Sequence, residues 1–188
     1  MRVSSLPTAA TILEALRRPP EPQSGTQQGR EPAQLMDAVL ALHHNNAEQW
    51  DREDDARTGR GDAAVAAAKR DIDQLNSARH GYIEAVDRAI ALAVDGRDDA
   101  ALVTESPGMA IDRLSVLVIR LASTEARVAS GAADAKLYAE RLPRLQGQLH
   151  ALEEAIATLL ADLATGTRRF IAYESLKLYG PEEPGRPG

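Results

Sequence analysis

Apolar positions recur every three or four residues along most of the chain, the spacing of helices that bury one face. A first long helix is predicted over residues 32–58. Its stripe is Met36, Val39, His43, Asn46, Trp50, Glu53 and Arg57, which begins as ordinary core, turns polar halfway and keeps the chain's only tryptophan. Thr58-Gly59-Arg60-Gly61-Asp62 breaks this helix, with Asp62 the candidate N-cap of the next. The second long helix is predicted over residues 63–94, with the stripe Ile72, Asn76, Arg79, Ile83, Val86 and Ile90. Its apolar face is also interrupted by polar groups, Asn76 and Arg79, and flanked by Asp73, His80 and Asp87. Polar side chains on a core-facing stripe need partners inside the protein, so a polar cluster is expected where these two helices meet.

The remaining pattern completes an all-α reading. Residues 6–18 form a short amphipathic helix stopped by Pro19-Pro20, and residues 19–29 read as a linker rich in Pro, Gln and Gly. After a loop at 95–105, Ser106-Pro107 supplies an N-cap and a proline at the first helical position. A third helix over 107–129 is expected to bury Leu114, Leu117, Leu121 and Val128, and residues 132–141 to add a short one. From Pro143 a fourth long helix carries Leu142, Leu145, Leu149, Leu152, Ile156, Leu159 and Leu163 in alternating steps of three and four. That is the seam of an antiparallel bundle or coiled coil, and where exposed it would be a homo-oligomer interface. Gly166 ends it; a last short helix is predicted at 168–179, and no strand pattern is visible. The organisation expected is a short helix plus linker at 1–30, an antiparallel bundle of about four long helices at 31–180, and a tail at 181–188.

Composition narrows the partners. A net charge of −6 argues against phosphate-backbone binding, so no nucleic-acid partner is expected. The absence of cysteine excludes disulfides and thiolate metal sites. No apolar run approaches the ~20 residues of a membrane span and no secretory signal opens the chain, so the expectation is a cytoplasmic protein without membrane contact.

Four segments together resemble the domain-of-unknown-function family numbered 4254. They are His43-x-x-Asn46-x-x-x-Trp50-x-x-Glu53-Asp54-x-x-Arg57; Ile72-Asp73-x-Leu75-Asn76-x-x-Arg79 with Ile83-Glu84-x-x-Asp87; Thr104-Glu105-Ser106-Pro107-Gly108 leading into Asp112-Arg113-Leu114-Ser115; and Gly166-x-Arg168-Arg169-Phe170 with Lys177-x-Tyr179. One departure is local: the chain has Arg79-His80-Gly81 where the family commonly carries Asn-Asp or Gln-Arg-Asn after the arginine. The resemblance implies a helical bacterial protein whose gene often lies near those for glycosyltransferases or specialised metabolism. It implies no activity, cofactor or reaction.

The candidate chemistry lies in the polar stripe. A turn at Gly59–Gly61 brings Trp50 and Asn46 toward Asp73, Asn76 and Arg79, so His43, Asn46, Trp50, Glu53, Arg57, Asp73, Asn76 and Arg79 form the candidate cluster, closed by Asp112 and Arg113 of the third helix. Arg79 offers a planar fork for carboxylate or phosphate, the asparagines suit sugar hydroxyls or amides, and His43 is the candidate acid or base near neutrality. The cluster is read first as a binding site for a small anionic or sugar-like metabolite. The alternative is a structural or interaction protein whose polar core sets helix register. A third reading takes Glu53, Asp54, Asp73, Glu84 and Asp87 as Mg²⁺ ligands of a nucleotide pyrophosphohydrolase. The hairpin register opposes it, because Glu53 falls opposite a position about 17 residues, or some 25 Å, before Glu84. Adjacent His43-His44 point about 100° apart, and no zinc site is expected.

Overall fold

The computed structural model describes residues 6–18, 34–58 and 61–175. The helices are α1 (Ala9–Arg17), α2 (Leu35–Thr58), α3 (Asp62–Ala93), α4 (Pro107–Ala129), α5 (Ala135–Ala139) and α6 (Leu142–Ala164). The fold is a mostly all-α helical bundle, as the periodicity predicts. The predicted linker lies outside the described residues, as does everything after residue 175.

Helices α2 and α3 pack as an antiparallel hairpin. Arg52 lies 3.7 Å from Asp71, and Asn45 Nδ2 donates to the Leu75 carbonyl at 3.2 Å. This is the register expected from a turn at residues 59–61. The N-cap is Gly61 rather than Asp62: Gly61 has φ +99°, a left-handed conformation that disfavours any side chain, and Asp62 stands inside the first turn. There its carboxylate still complements the helix dipole.

The core is formed by α1, one face of each long helix, and their contacts. Ile12 and Leu16 of α1, Val39 and Leu42 of α2, Val86 and Ile90 of α3, and Ile111 and Leu114 of α4 are almost completely buried. The leucine seam of α6 divides into two rows. Leu149, Ile156 and Leu163 are buried in the core, whereas Leu145, Leu152 and Leu159 remain half-buried. Leu117 and Val128 of α4, expected in the core, are half-buried too.

The C-terminal segment departs from the helical expectation. Arg168–Arg169 forms strand β2, which pairs in parallel with β1 (Ala101–Leu102), and residues 170–175 continue without helix. Gly166, at φ +69°, stops α6. The following backbone finds its acceptors in α3: the Tyr173 amide donates to Asp87 Oδ2 at 2.8 Å and the Ser175 amide to Glu84 Oε1 at 3.0 Å. Two side-chain carboxylates thus take over what helical carbonyls would have supplied. The two-residue strands are too short to show any alternation in sequence.

Asp87 carries a second attachment. Its Oδ1 accepts the Gly108 amide at 2.6 Å in the first turn of α4, where Ser106 caps the helix by accepting from the Met109 amide. Asp87 is fully buried, and burial raises its pKa against the opposing hydrogen bonds from Ser106, Tyr173 and Gly108. One carboxylate therefore joins α3, the start of α4 and the C-terminal strap.

The close approach at Gly108 is testable. A Cβ there would lie 2.6 Å from the Ile83 carbonyl oxygen and 2.9 Å from Asp87 Oδ1, whereas one at Gly147 of α6 meets nothing within 4 Å. In urea denaturation, Gly108→Ala is expected to cost about 2 kcal/mol through overpacking. Gly147→Ala is expected to add up to about 1 kcal/mol through helix propensity. Equal behaviour of the two would remove the packing argument.

Candidate functional site

The polar cluster is built where α2, α3 and α4 meet. Helix α4 presents Asp112 and Ser115, three residues apart and so on one face, to the polar half of the α2 stripe. Arg79 of α3 binds Asp112 with two parallel hydrogen bonds, Nε to Oδ1 at 2.8 Å and Nη2 to Oδ2 at 2.5 Å. Asn46 Nδ2 donates to Asp112 Oδ1 at 2.9 Å and to Ser115 Oγ at 3.1 Å. Ser115 Oγ in turn lies 2.9 Å from His43 Nδ1, and the His43 ring also bonds the Leu16 backbone.

Electrostatics fix the proton positions in this chain. Burial, helped by the neighbouring His44, lowers the His43 pKa to about 4 against the weaker opposing bond to Leu16. The ring is therefore neutral at pH 7. With its N–H spent on the Leu16 carbonyl, Nδ1 accepts from the Ser115 hydroxyl. Ser115 then accepts from Asn46, and Asp112 receives the remaining Asn46 proton together with the Arg79 fork. The hydrogen bond to Asp112 raises the already high Arg79 pKa, so the guanidinium stays charged. The line Arg79–Asp112–Asn46–Ser115–His43–Leu16 ties four helices into one network.

Of the ten candidate residues, this network contains His43, Asn46, Arg79 and Asp112. Trp50 and Asn76 are half-buried beside it on the hairpin. Glu53 accepts from Gln49 at 3.2 Å and contributes to the potential at Arg79, so it borders the cluster without entering it. Asp73 is exposed. Arg57 stands apart: it is largely exposed and pairs along its own helix with Asp54 and Glu53, because its position falls near the tip of the hairpin, beyond the reach of α4. Arg113 also leaves the cluster. One residue past Asp112 on a helix is a rotation of about 100°, which turns Arg113 to the far side of α4, where it pairs with Glu105 at 2.9 Å. Ser115, absent from the candidate residues, is a central member. Its three-residue spacing from Asp112 was the available signal.

Four of the five carboxylates considered for Mg²⁺ are engaged elsewhere, Asp54 with Arg57, and the fifth, Asp73, is exposed. Glu84 and Asp87 accept backbone amides, as described above, and Glu53 lies on the hairpin with Gln49 and Arg57. Asp87 is not the solvated outer carboxylate that a charge-patterned helix suggests. Among the described residues, no group of three or more His, Asp or Glu could hold a metal ion.

Two acceptors in the cluster stay unpaired. Asn46 Oδ1 and Gln49 Oε1 are buried with no donor among the described residues. They sit three residues apart on α2, hence on one face.

A second feature lies on the opposite side of α4. A groove of about 680 Å³ opens between α4 and α6, floored by Val116, Leu117, Leu152, Ile156 and Leu159. Glu105, Arg113 and Arg120 also line it.

A family model described as Protein of unknown function (DUF4254) matches residues 36–171. No curated protein and no solved structure matches the chain. No described helix is long and apolar enough to cross a membrane.

The neutral, buried His43 predicts a pH dependence. Its folded pKa lies below the unfolded value of 6.5, so the unfolded chain binds the proton first; stability is complete above about pH 6.5 and falls as pH drops toward 4. From pH 7 to pH 5 the loss attributable to His43 is about 2 kcal/mol. His44 is shifted in the same direction by burial, so the measurement is a comparison: urea midpoints of His43→Gln should depend less steeply on pH than those of the parent. Parallel curves would mean that His43 is not the group responsible.

Proposed function

The chain belongs to the DUF4254 family, whose description carries no activity, and on that premise we propose that it is a binding protein for a small anionic metabolite. In this reading the buried cluster is a lock that sets the register of α4, and the binding surface is the outer side of that helix. The observation that carries it is that the groups able to do chemistry in the network are already engaged. Both oxygens of Asp112 are engaged, Ser115 is fully buried, and the His43 ring is bonded on both sides. A seryl oxygen in that position has no path to a substrate, and a neutral histidine whose nitrogens are both engaged has no proton-transfer partner outside the network.

Locking α4 has a consequence for binding. Because Asp112 and Ser115 are held on one side, Arg113, Val116, Leu117 and Arg120 are held on the other, at fixed positions along the groove. A cytoplasmic location fits a metabolite-binding role and is part of the proposal.

A second reading places the metabolite in the cluster itself. It is favoured by the two unpaired amide oxygens, Asn46 Oδ1 and Gln49 Oε1, which could accept from a sugar hydroxyl or an amine. Under that reading, Gln49→Leu abolishes any stabilisation by a nucleotide sugar such as UDP-glucose; under the lock reading it leaves stabilisation by anions intact.

The lock makes a sharper demand on stability. Arg79→Ala strands a buried Asp112 carboxylate and should cost about 3 kcal/mol or more. Replacing both partners, Arg79→Met with Asp112→Leu, should recover most of that loss, since a well-packed apolar pair often substitutes for a buried ion pair. The double variant should also keep the stabilisation by citrate or inorganic pyrophosphate expected of the parent, about 2.7 kcal/mol at 100-fold over Kd. Loss of that stabilisation in a folded double variant would place the anion in the cluster instead.

A further inference from the structure

We propose that the α4–α6 groove is a site for a single-chain anionic amphiphile, with its carboxylate or phosphate on Arg120 and its apolar chain along Leu117, Leu152 and Leu159. This rests on the reading of the protein as an anion-binding protein and adds the chemical class of the ligand.

The argument begins with charge. The chain carries a net charge of −6, yet the α4 edge of the groove presents two arginines seven residues apart, about 10 Å along the helix. Arg113 is paired with Glu105. Arg120 is exposed and has no ion-pair partner among the described residues. A guanidinium beside an apolar floor is a recognition element for a carboxylate or phosphate attached to hydrocarbon.

The floor supplies the second half. Val116 and Leu117 lie one turn from Arg120, and half-buried Leu152 and Leu159 face them from α6. These α6 residues belong to the row of the leucine seam that the core leaves uncovered. A volume of about 680 Å³ suits a small amphiphile rather than a folded domain.

A second copy of the chain is the competing occupant for the same seam. An isologous contact brings each patch against itself. Here both copies would bring Arg113 and Arg120 into one interface, four guanidinium groups against two Glu105 carboxylates that Arg113 already engages. Like charges across an interface oppose association, so charge favours the anionic ligand.

The test is calorimetric titration of the full chain with decanoate and decyl phosphate, alongside decanol, acetate and inorganic pyrophosphate. Either decyl anion should bind at least tenfold more tightly than decanol, acetate or pyrophosphate. Arg120→Gln should weaken it about tenfold, and Ala155→Trp, which fills the exposed α6 side of the groove, should abolish it while the melting temperature holds. Decanol binding as tightly as decanoate, or indifference to Ala155→Trp, overturns the site. Tight pyrophosphate binding with no decyl-anion binding overturns the amphiphile and keeps the broader reading; absence of any anion binding overturns both. A concentration-dependent doubling of mass that Ala155→Trp removes would assign the groove to a second copy instead.

Discussion

The structure depends on one buried carboxylate. Asp112 lies on α4 with its side chain 8% exposed, and such a charge is tolerated only because Arg79 and Asn46 supply three hydrogen bonds. Those donors come from two other helices, so satisfying the charge fixes where α2 and α3 stand relative to α4. Apolar packing alone is less selective: a leucine tolerates sliding or rotation that a bidentate pair does not. The rest of the network extends the same constraint through Ser115 and His43 to α1.

A second buried carboxylate, Asp87, does for the chain ends of elements what Asp112 does for their faces. It accepts amides from the first turn of α4 and from the C-terminal strap, which also pairs with β1, so the segment from β1 to the start of α4 is held at both ends. Glycine at 108 is required by that approach, since the amide can reach the carboxylate only where no Cβ intervenes. With its N-terminus held by Asp87 and its inner face by Asp112, α4 has little freedom left. Its outer face inherits that rigidity, and a preorganised surface loses less entropy on binding.

Much of this was legible in the residues. The interruption of two apolar stripes at Asn46 and Arg79 marked the cluster, and the helix break predicted at residues 58–62 implied the register in which Arg52 meets Asp71. Ser106-Pro107 announced the start of α4 correctly. Arg113 was grouped with Asp112 because they are adjacent in sequence, and a helix separates such neighbours by rotation. Ser115 was passed over because a serine carries no charge to draw attention. Glu84-x-x-Asp87 resembled a metal pair, whereas its partners are backbone amides from residues more than 20 positions away.

What the sequence determined by itself is periodic and local: the helices, their breaks, the caps and the face on which polar groups interrupt the core. These follow from spacing, from backbone conformation and from side chains acting within a turn or two. Only the tertiary structure decided which polar groups meet, that the strap after Gly166 is extended, and that a groove opens between α4 and α6. Those outcomes rest on contacts between residues distant in sequence. A carboxylate can be satisfied equally by a metal, an arginine or a backbone amide, and the choice is made by whatever the fold brings within hydrogen-bonding distance.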